Sequence, residues 1–142
     1  MKIKFDIKSF GITYRSLKVL RDTLATSIGD EIAIAQVPTD DICCGFLIVN
    51  KTTGEATFTG DGFRTDGGGE GGAGYKSAQA LLRLFGLSFF DVYPMEPVNS
   101  EEICRGNIEG IKKIFLDMAD DLERIADYRC PVKLKPQYLR SY

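Results

Sequence analysis

Apolar and polar residues alternate along several short stretches of the chain, and this alternation predicts β-strands. At the N-terminus, Ile3, Phe5 and Ile7 alternate with charged residues, as expected of a strand with one buried face. The segment Ile42–Val49 is almost wholly apolar, which is typical of a central strand covered on both faces. The turn sequence at Asn50–Gly54 then predicts a hairpin. The other strands predicted in this way are Glu31–Val37, Glu55–Thr59 and Leu87–Tyr93.

Apolar residues at helical spacing predict two helices in the first two thirds of the chain. The first is predicted over about residues 16–28, with Ser16 as its N-cap and Gly29 just past its end. The second is predicted to begin at Tyr75 and to close at Gly86. Both patterns place apolar side chains on one stripe, so each helix is expected to pack on the sheet.

The last predicted helix begins near Ser100 and carries an unbroken heptad pattern that ends before Cys130-Pro131. Its apolar positions follow one another in steps of four and three residues, which is the spacing of a coiled-coil seam. These positions are Cys104, Ile108, Ile111, Phe115, Met118, Leu122 and Ile125. A helix of about 40 Å is longer than the sheet of one small domain, so part of it is expected to pack on a second copy. We therefore expect a homo-oligomer joined through the Cys104–Ile125 seam.

The order of predicted elements is β-α-β-β-β-α-β-α, which indicates an α+β fold. We expect a mainly antiparallel sheet with a long C-terminal heptad helix. The length of 142 residues corresponds to a single domain. Within it, residues 1–130 are expected to form the core. Residues 131–142 are basic, aromatic and interrupted by proline, and are expected to form an extended tail.

The composition excludes several kinds of chemistry. The chain has no His, which excludes Ser-His-Asp and Cys-His nucleophilic catalysis and every His-ligated metal site. None of the four Cys belongs to a C-x-x-C pair, which argues against a zinc ribbon. We expect no metal and no cofactor. The opening sequence has no apolar core of a signal peptide, and no apolar run is long enough to span a membrane. A cytoplasmic protein without membrane contact is therefore expected.

Charge is distributed unevenly along the chain. Residues 1–21 carry six Lys or Arg and one acid, whereas residues 22–70 carry two Lys or Arg and nine acids. An extended nucleic-acid groove needs a continuous basic stripe, so a nucleic-acid polymer is not an expected partner. A small anionic ligand near the basic N-terminal segment remains compatible with this distribution.

The segment Gly60–Gly74 holds eight of the fifteen glycines and leads into the second predicted helix. Glycine lets main-chain amides approach a ligand closely, and a helix start adds further free N–H groups, so the segment is predicted to cradle phosphate. Gly69–Gly74 matches G-x-G-x-x-G, but no strand directly precedes it, so we reject a Rossmann site. Tyr75 is one residue too many before Lys76 for a P-loop, which we also reject. The cradle requires these amides to be free and to face a cleft.

A nucleotide suits the side chains of this segment better than bare phosphate. Phe63 and Tyr75 are expected to contact a base, and Arg64 and Lys76 to neutralise phosphate charge. The candidate ligand-binding residues are Gly60, Gly62, Phe63, Arg64, Gly69, Gly71, Gly72, Gly74, Tyr75 and Lys76. No catalytic residue is assigned.

In size, in overall plan and in the segment Thr59–Leu82, the chain resembles small phage anti-defence proteins that sequester cyclic nucleotide immune signals. The resemblance is to the Thoeris anti-defence sponges, which capture cyclic ADP-ribose isomers. It implies a homo-oligomer in the host cytoplasm, without cofactor, with ligand pockets near subunit interfaces and binding without turnover. The leading hypothesis is therefore non-catalytic sequestration of a cyclic nucleotide.

Two alternatives remain open at this point. The first is a protein–protein inhibitor or adaptor that acts through the acidic middle segment or the heptad helix. The second is a metal-dependent phosphodiesterase, in which Asp61, Asp66 and Glu70 hold Mg²⁺ or Mn²⁺.

Overall fold

In a computed structural model, a mixed β-sheet lies at the centre of the fold. The structure describes residues 1–94, 98, 107–129 and 132–133. The strands of this described part are β1 (Lys2–Phe5), β2 (Glu31–Pro38), β3 (Cys43–Asn50), β4 (Glu55–Phe58), β5 (Phe63–Arg64), β6 (Phe90–Asp91) and β7 (Val132–Lys133). Its helices are a 3-10 turn (Ile7–Ser9), α1 (Thr13–Thr26), α2 (Gly69–Leu84) and α3 (Ile108–Arg129). The predicted α+β class is confirmed.

The strands follow the order β1-β4-β3-β2-β6, with β5 also paired to β3 and β7 to β2. The predicted hairpin is confirmed as antiparallel pairing of β3 with β4, in which Leu47 lies opposite Phe58. Most pairings are antiparallel, but β1 runs parallel to β4 and β6 runs parallel to β2. The sheet is therefore more mixed than its sequence pattern predicted.

Helices cover both faces of the central strands. Side chains of β3 alternate, so that Phe46 and Ile48 join the core under α1 and α2, whereas Leu47 and Val49 join the core under α3. All four side chains are at most 1% exposed. The expectation that this apolar segment is a central strand covered on both faces is thus confirmed. Each such side chain stabilises the fold by roughly 1.5–3 kcal/mol.

Helix α3 packs on the sheet through positions of the predicted heptad seam. Its buried members are Ile111, Phe115, Met118 and Leu122. The ring of Phe115 stacks on that of Phe58, with 4.5 Å between the ring centroids. These four side chains therefore lie in the chain's own core, and Ile108 is half-buried.

Several predictions about the C-terminal third lie outside the described residues. They concern the helix start near Ser100, Cys104, the side chain of Ile125, the stop at Cys130-Pro131 and, apart from β7, the extended tail. Oligomerisation through the seam stays a prediction. No helix within the described ranges is both long and apolar enough to cross a membrane.

Helix α1 begins at Thr13, three residues earlier than predicted, and its N-cap is Ile12. Ser16 is not a cap but lies buried inside the helix. Its Oγ donates to the carbonyl of Ser9 over 3.0 Å and accepts from the amide of Gly62 over 3.1 Å. The hydroxyl that resembled a cap is therefore a link between the helix and the glycine-rich segment.

Helix α2 begins at Gly69, six residues before the predicted start at Tyr75. Much of the glycine-rich segment is therefore helical, because packing on α1 overrides the weak helix propensity of glycine. The predicted end is confirmed: Gly86 has φ +72°, and the amide of Leu87 donates to the carbonyl of Leu82 over 2.9 Å. The strand predicted at Leu87–Tyr93 is shorter and comprises only β6.

The start of α2 lies against the start of α1 at a contact that leaves no room for a Cβ atom. A Cβ on Gly74 would overlap the Cγ2 methyl of Thr13, and one on Gly62 would lie 2.6 Å from the carbonyl oxygen of Ile12. The Thr13 hydroxyl donates to the Gly62 carbonyl over 2.7 Å, which fixes the position of the methyl. We call Gly62, Gly74 and Thr13 the glycine joint.

Gly74→Ala is predicted to lower the free energy of unfolding, measured by urea titration with circular dichroism. Overpacking against Thr13 costs about 1–3 kcal/mol, against a gain of about 1 kcal/mol in helix propensity. Thr13→Ser keeps the hydroxyl and removes the methyl. In that background, Gly74→Ala is expected to be neutral or stabilising. Destabilisation of equal size in both backgrounds would contradict the contact.

Candidate functional site

Several main-chain amides of the glycine-rich segment have partners inside the protein. The amide of Gly62 donates to Ser16, and that of Gly68 donates to Asp66 Oδ1 over 3.0 Å. The amide of Gly72 donates to the carbonyl of Gly68 over 2.8 Å. These amides are not available to a ligand, whereas the first turn of α2 has the unpaired N–H groups of a helix start.

Half of the ten candidate ligand-binding residues are buried. They are Gly60, Gly62, Phe63, Gly72 and Gly74. The ring of Phe63 is 0% exposed and lies 5.5 Å from the ring of Phe46, measured between centroids. Phe63 therefore presents no ring face to a ligand. All five residues are part of the packed interior of the protein.

The other candidates lie at or near the start of α2, where Arg64 crosses the helix. The Arg64 guanidinium pairs with Asp66 over 2.6 Å, and its aliphatic stem packs over Gly71. This pairing, ahead of the Gly68 amide, lowers the pKa of Asp66. Arg64 and Gly71 are thus brought together with Gly69, the first residue of the helix.

Tyr75 and Lys76 complete the candidate set, and only Tyr75 points toward the sheet. Its ring is parallel to that of Phe46, with 6.3 Å between centroids, and its hydroxyl donates to Gln36 Oε1. Burial raises the pKa of Tyr75. Lys76 is exposed on α2. The hydrogen bond from Tyr75 matters because Gln36 borders a cleft.

A cleft of about 560 Å³ opens beside the end of β2, the start of β3, the residue after β5 and the end of β6, and its volume lies in the usual range of small-molecule sites. Its lining residues are Gln36, Pro38, Thr39, Asp40, Asp41, Cys43, Cys44, Thr65, Asp91, Tyr93 and Pro94. Arg64 lies next to it, because it precedes Thr65 and pairs with Cys43 in the strand register. The cleft thus adjoins the start of α2.

Sequence reasoning missed the lining of this cleft. Its described lining residues come from three separate segments, which are residues 36–44, Thr65 and residues 91–94, and these segments meet only in the folded chain. The one available signal was the excess of acids over residues 22–70, which includes Asp40 and Asp41. That excess was interpreted as a surface for a partner protein rather than as the wall of a pocket.

Carboxylates dominate the charge of the cleft. Asp40, Asp41 and Asp91 line it, and none of the other described lining residues is a Lys or Arg. Asp40 Oδ1 accepts from the amides of Cys43 over 2.6 Å and Ile42 over 2.8 Å. The Cys43 amide is the main cause that lowers the pKa of Asp40, so this carboxylate stays ionised. The cleft therefore favours groups that donate hydrogen bonds, such as hydroxyls and amines.

The buried carboxylate of Asp61 supports the cleft from beneath. Its Oδ1 accepts from the amide of Gly11 over 2.6 Å, and its Oδ2 accepts from the hydroxyl of Thr39 over 2.8 Å. The side chain thereby joins the approach to α1, the end of β2 and the glycine-rich segment. Thr39 lines the cleft, so its hydroxyl is held in place from inside the protein.

The acids of the phosphodiesterase alternative do not converge. Asp61 is engaged by Gly11 and Thr39, Asp66 by Arg64, and Glu70 lies exposed in the first turn of α2. Across residues 1–94, 98, 107–129 and 132–133, no group of three or more His, Cys, Asp or Glu side chains is placed to hold a metal ion.

The two adjacent cysteines of β3 have weakly acidic thiols. Burial, followed by the nearby Asp40 carboxylate, raises the pKa of Cys43 to about 11. Burial raises the pKa of Cys44 to about 12. Both thiols are therefore protonated at neutral pH, and Cys43 borders the cleft without being a ready nucleophile.

No known protein family, curated protein or solved structure matches the chain. Function is therefore inferred from the chemistry of the cleft and of the helix start beside it.

Asp61→Ala is expected to lower the free energy of unfolding by about 3 kcal/mol, because it removes two hydrogen bonds to a buried carboxylate and leaves the Gly11 amide unpaired. Asp61→Asn keeps one acceptor for that amide and is expected to cost about 1 kcal/mol. Urea unfolding of the two variants measures the difference. An equal loss of stability in the two variants would contradict the role of Asp61 as acceptor for the Gly11 amide, because only Asp61→Asn retains that acceptor.

Cys43 is expected to react slowly with iodoacetamide in the folded protein. At pH 9, a thiol of pKa 11 is only about 1% ionised, against half for an ordinary thiol. Asp40→Asn keeps the turn acceptor and removes the charge, so the rate is expected to rise several-fold. Peptide mass spectrometry resolves the site. Asp41→Asn serves as the control, and an equal rise in that variant would contradict the assignment to Asp40.

Proposed function

We propose that the protein binds a small nucleotide in the cleft and sequesters it without chemistry. The observation that supports this most directly is the position of the cleft beside Arg64 of β5, whose side chain packs over the first turn of α2. The two parts offer opposite chemistry. Carboxylates in the cleft accept hydrogen bonds, whereas the helix start and Arg64 attract an anion.

The cleft suits the base and ribose of a nucleotide. Asp40 and Asp91 are acceptors for ribose hydroxyls and for exocyclic amines, the role that acids take in nucleotide sites. Gln36 is oriented by Tyr75 and adds an amide to the wall. Tyr93 is 74% exposed at the edge and offers a ring on which a base can stack.

The phosphate is expected at the helix start and not in the cleft. Asp40, Asp41 and Asp91 repel an anion, so the charge of the wall orients the ligand. Arg64 is 39% exposed in its side chain, and its ion-pair partner in the described part of the chain is the exposed carboxylate of Asp66. Exposed ion pairs of this kind are weak, so a phosphate that binds the guanidinium bidentately can compete with Asp66.

Binding without turnover is supported by the groups at the cleft. The Cys43 thiol is protonated at neutral pH, and the described acids do not converge on a metal position. This agrees with the resemblance to sponges for cyclic nucleotide immune signals. On that basis we propose a cyclic ADP-ribose isomer as the ligand class, a cytoplasmic phage anti-defence role and a homo-oligomer.

Titration calorimetry with cyclic ADP-ribose isomers and cyclic dinucleotides is expected to detect one ligand class. Arg64→Ala is predicted to weaken its binding by about 10- to 100-fold, since a charge-assisted pair is lost. Arg21→Ala, an exposed arginine likewise paired with an adjacent carboxylate, is the matched control and is expected to bind like the wild type.

Absence of binding by the wild type to all of these nucleotides would overturn the proposal, as would equal affinity of Arg64→Ala. Chromatography of the recovered ligand separates sequestration from catalysis. Unchanged nucleotide after incubation with Mg²⁺ or Mn²⁺ is expected, whereas a hydrolysed product would favour the phosphodiesterase alternative.

A further inference from the structure

A second concavity of about 450 Å³ runs between α1 and α2 and shares no lining residue with the cleft. Its lining residues are Tyr14, Leu17, Lys18, Arg21, Ser77 and Leu81. The four residues of α1 recur at i, i+3, i+4 and i+7, so they form one face of that helix. We call this feature the helix groove.

Three of the described lining residues of the helix groove carry apolar or aromatic side chains. Tyr14 is 62% exposed at the edge of the groove. Leu17 and Leu81 are half-buried between the two helices, where they also pack on the core beneath. Together they give the groove an apolar floor that a partner side chain can cover.

The charge at the rim of the helix groove is positive. Among the residues of the groove that the structure describes, Lys18 and Arg21 are cations and none is an acid. Their carboxylate neighbour, Asp22, pairs with Lys18 over 2.7 Å and with Arg21 over 3.4 Å, but all three side chains are at least half exposed. Such pairs are weak and exchangeable. Arg15, stacked over Tyr14 at 5.8 Å, adds a further cation.

We propose that the helix groove docks an acidic amphipathic helix of a partner protein. The furrow between two adjacent helices accepts the ridge of a third, and apolar residues at i, i+3 and i+7 of that helix would cover Tyr14, Leu17 and Leu81. Glutamates or aspartates flanking its apolar stripe would pair with Lys18 and Arg21.

The charge of the helix groove and the packing of α3 favour a helix from a different protein over a second copy of this chain. Two grooves facing each other about a twofold axis would bring Lys18 and Arg21 of both copies into one interface, where like charges repel. Helix α3, the most acidic candidate on the chain, already buries Ile111, Phe115, Met118 and Leu122 against its own sheet. The described apolar side chains of its stripe are therefore already used within the chain.

The test uses a fluorescein-labelled peptide of about 18 residues, with leucines on one face and glutamates on its flanks. Fluorescence anisotropy with the full chain is expected to give micromolar binding that weakens about tenfold between roughly 50 and 300 mM salt. The double variant Lys18→Glu/Arg21→Glu is predicted to lose at least tenfold in affinity. Tyr14→Ser reports on the apolar contact and is predicted to lose about fivefold.

Two controls distinguish binding at the helix groove from nonspecific electrostatic attraction between peptide and protein. Lys113→Glu changes an exposed lysine on α3 and is expected to bind like the wild type, and a peptide with lysines in place of glutamates is expected not to bind. Circular dichroism checks that each variant is folded. The proposal is overturned if the acidic peptide does not bind, or if both peptides bind equally. It is also overturned if sedimentation shows that the wild type self-associates and the double variant does not, since the groove would then join two copies.

Discussion

The fold depends on the close approach of main chain to main chain at Gly60 and Gly62. At Gly60 the backbone has φ +95° and a Cβ would lie 2.6 Å from the carbonyl oxygen of Ser9, and Gly62 is equally constrained by Ile12. Between them, Asp61 ties the approach to α1 to the end of β2. A side chain at either glycine would push these segments apart. The positions of α1, α2 and the wall of the cleft therefore depend on the same close contact.

That constraint also explains why the candidate site lies elsewhere than the glycines suggested. Glycine permits close approach of any neighbour to the backbone, whether a phosphate or another strand of the same protein. Here the neighbours of Gly62 and Gly74 are Ile12 and Thr13, so the space that a ligand would have used is filled by α1. A polar opening next to the glycine-rich segment is the cleft, which Thr65 and Gln36 border.

The sequence predicted those parts of the fold that are recorded in local periodicity. The hairpin of β3 and β4 and the double coverage of β3 follow from an apolar run and its turn. The parallel pairing of β1 with β4 and the start of α2 at Gly69 do not, because both arise from contacts between distant segments. The cleft could not be predicted for the same reason. Asp40 and Asp91 are 51 positions apart in the sequence and meet only in the folded chain.

The linear charge asymmetry becomes a separation of surfaces once the chain is folded. The cations of the first 21 residues include Lys18 and Arg21, which line the helix groove, whereas Asp40 and Asp41 of the acidic middle segment line the cleft. A single anionic ligand cannot use both, because the cleft repels what the groove attracts. The two surfaces therefore call for two different occupants: one rich in hydrogen-bond donors with its anionic end held at the start of α2, and one that carries carboxylates along an apolar stripe.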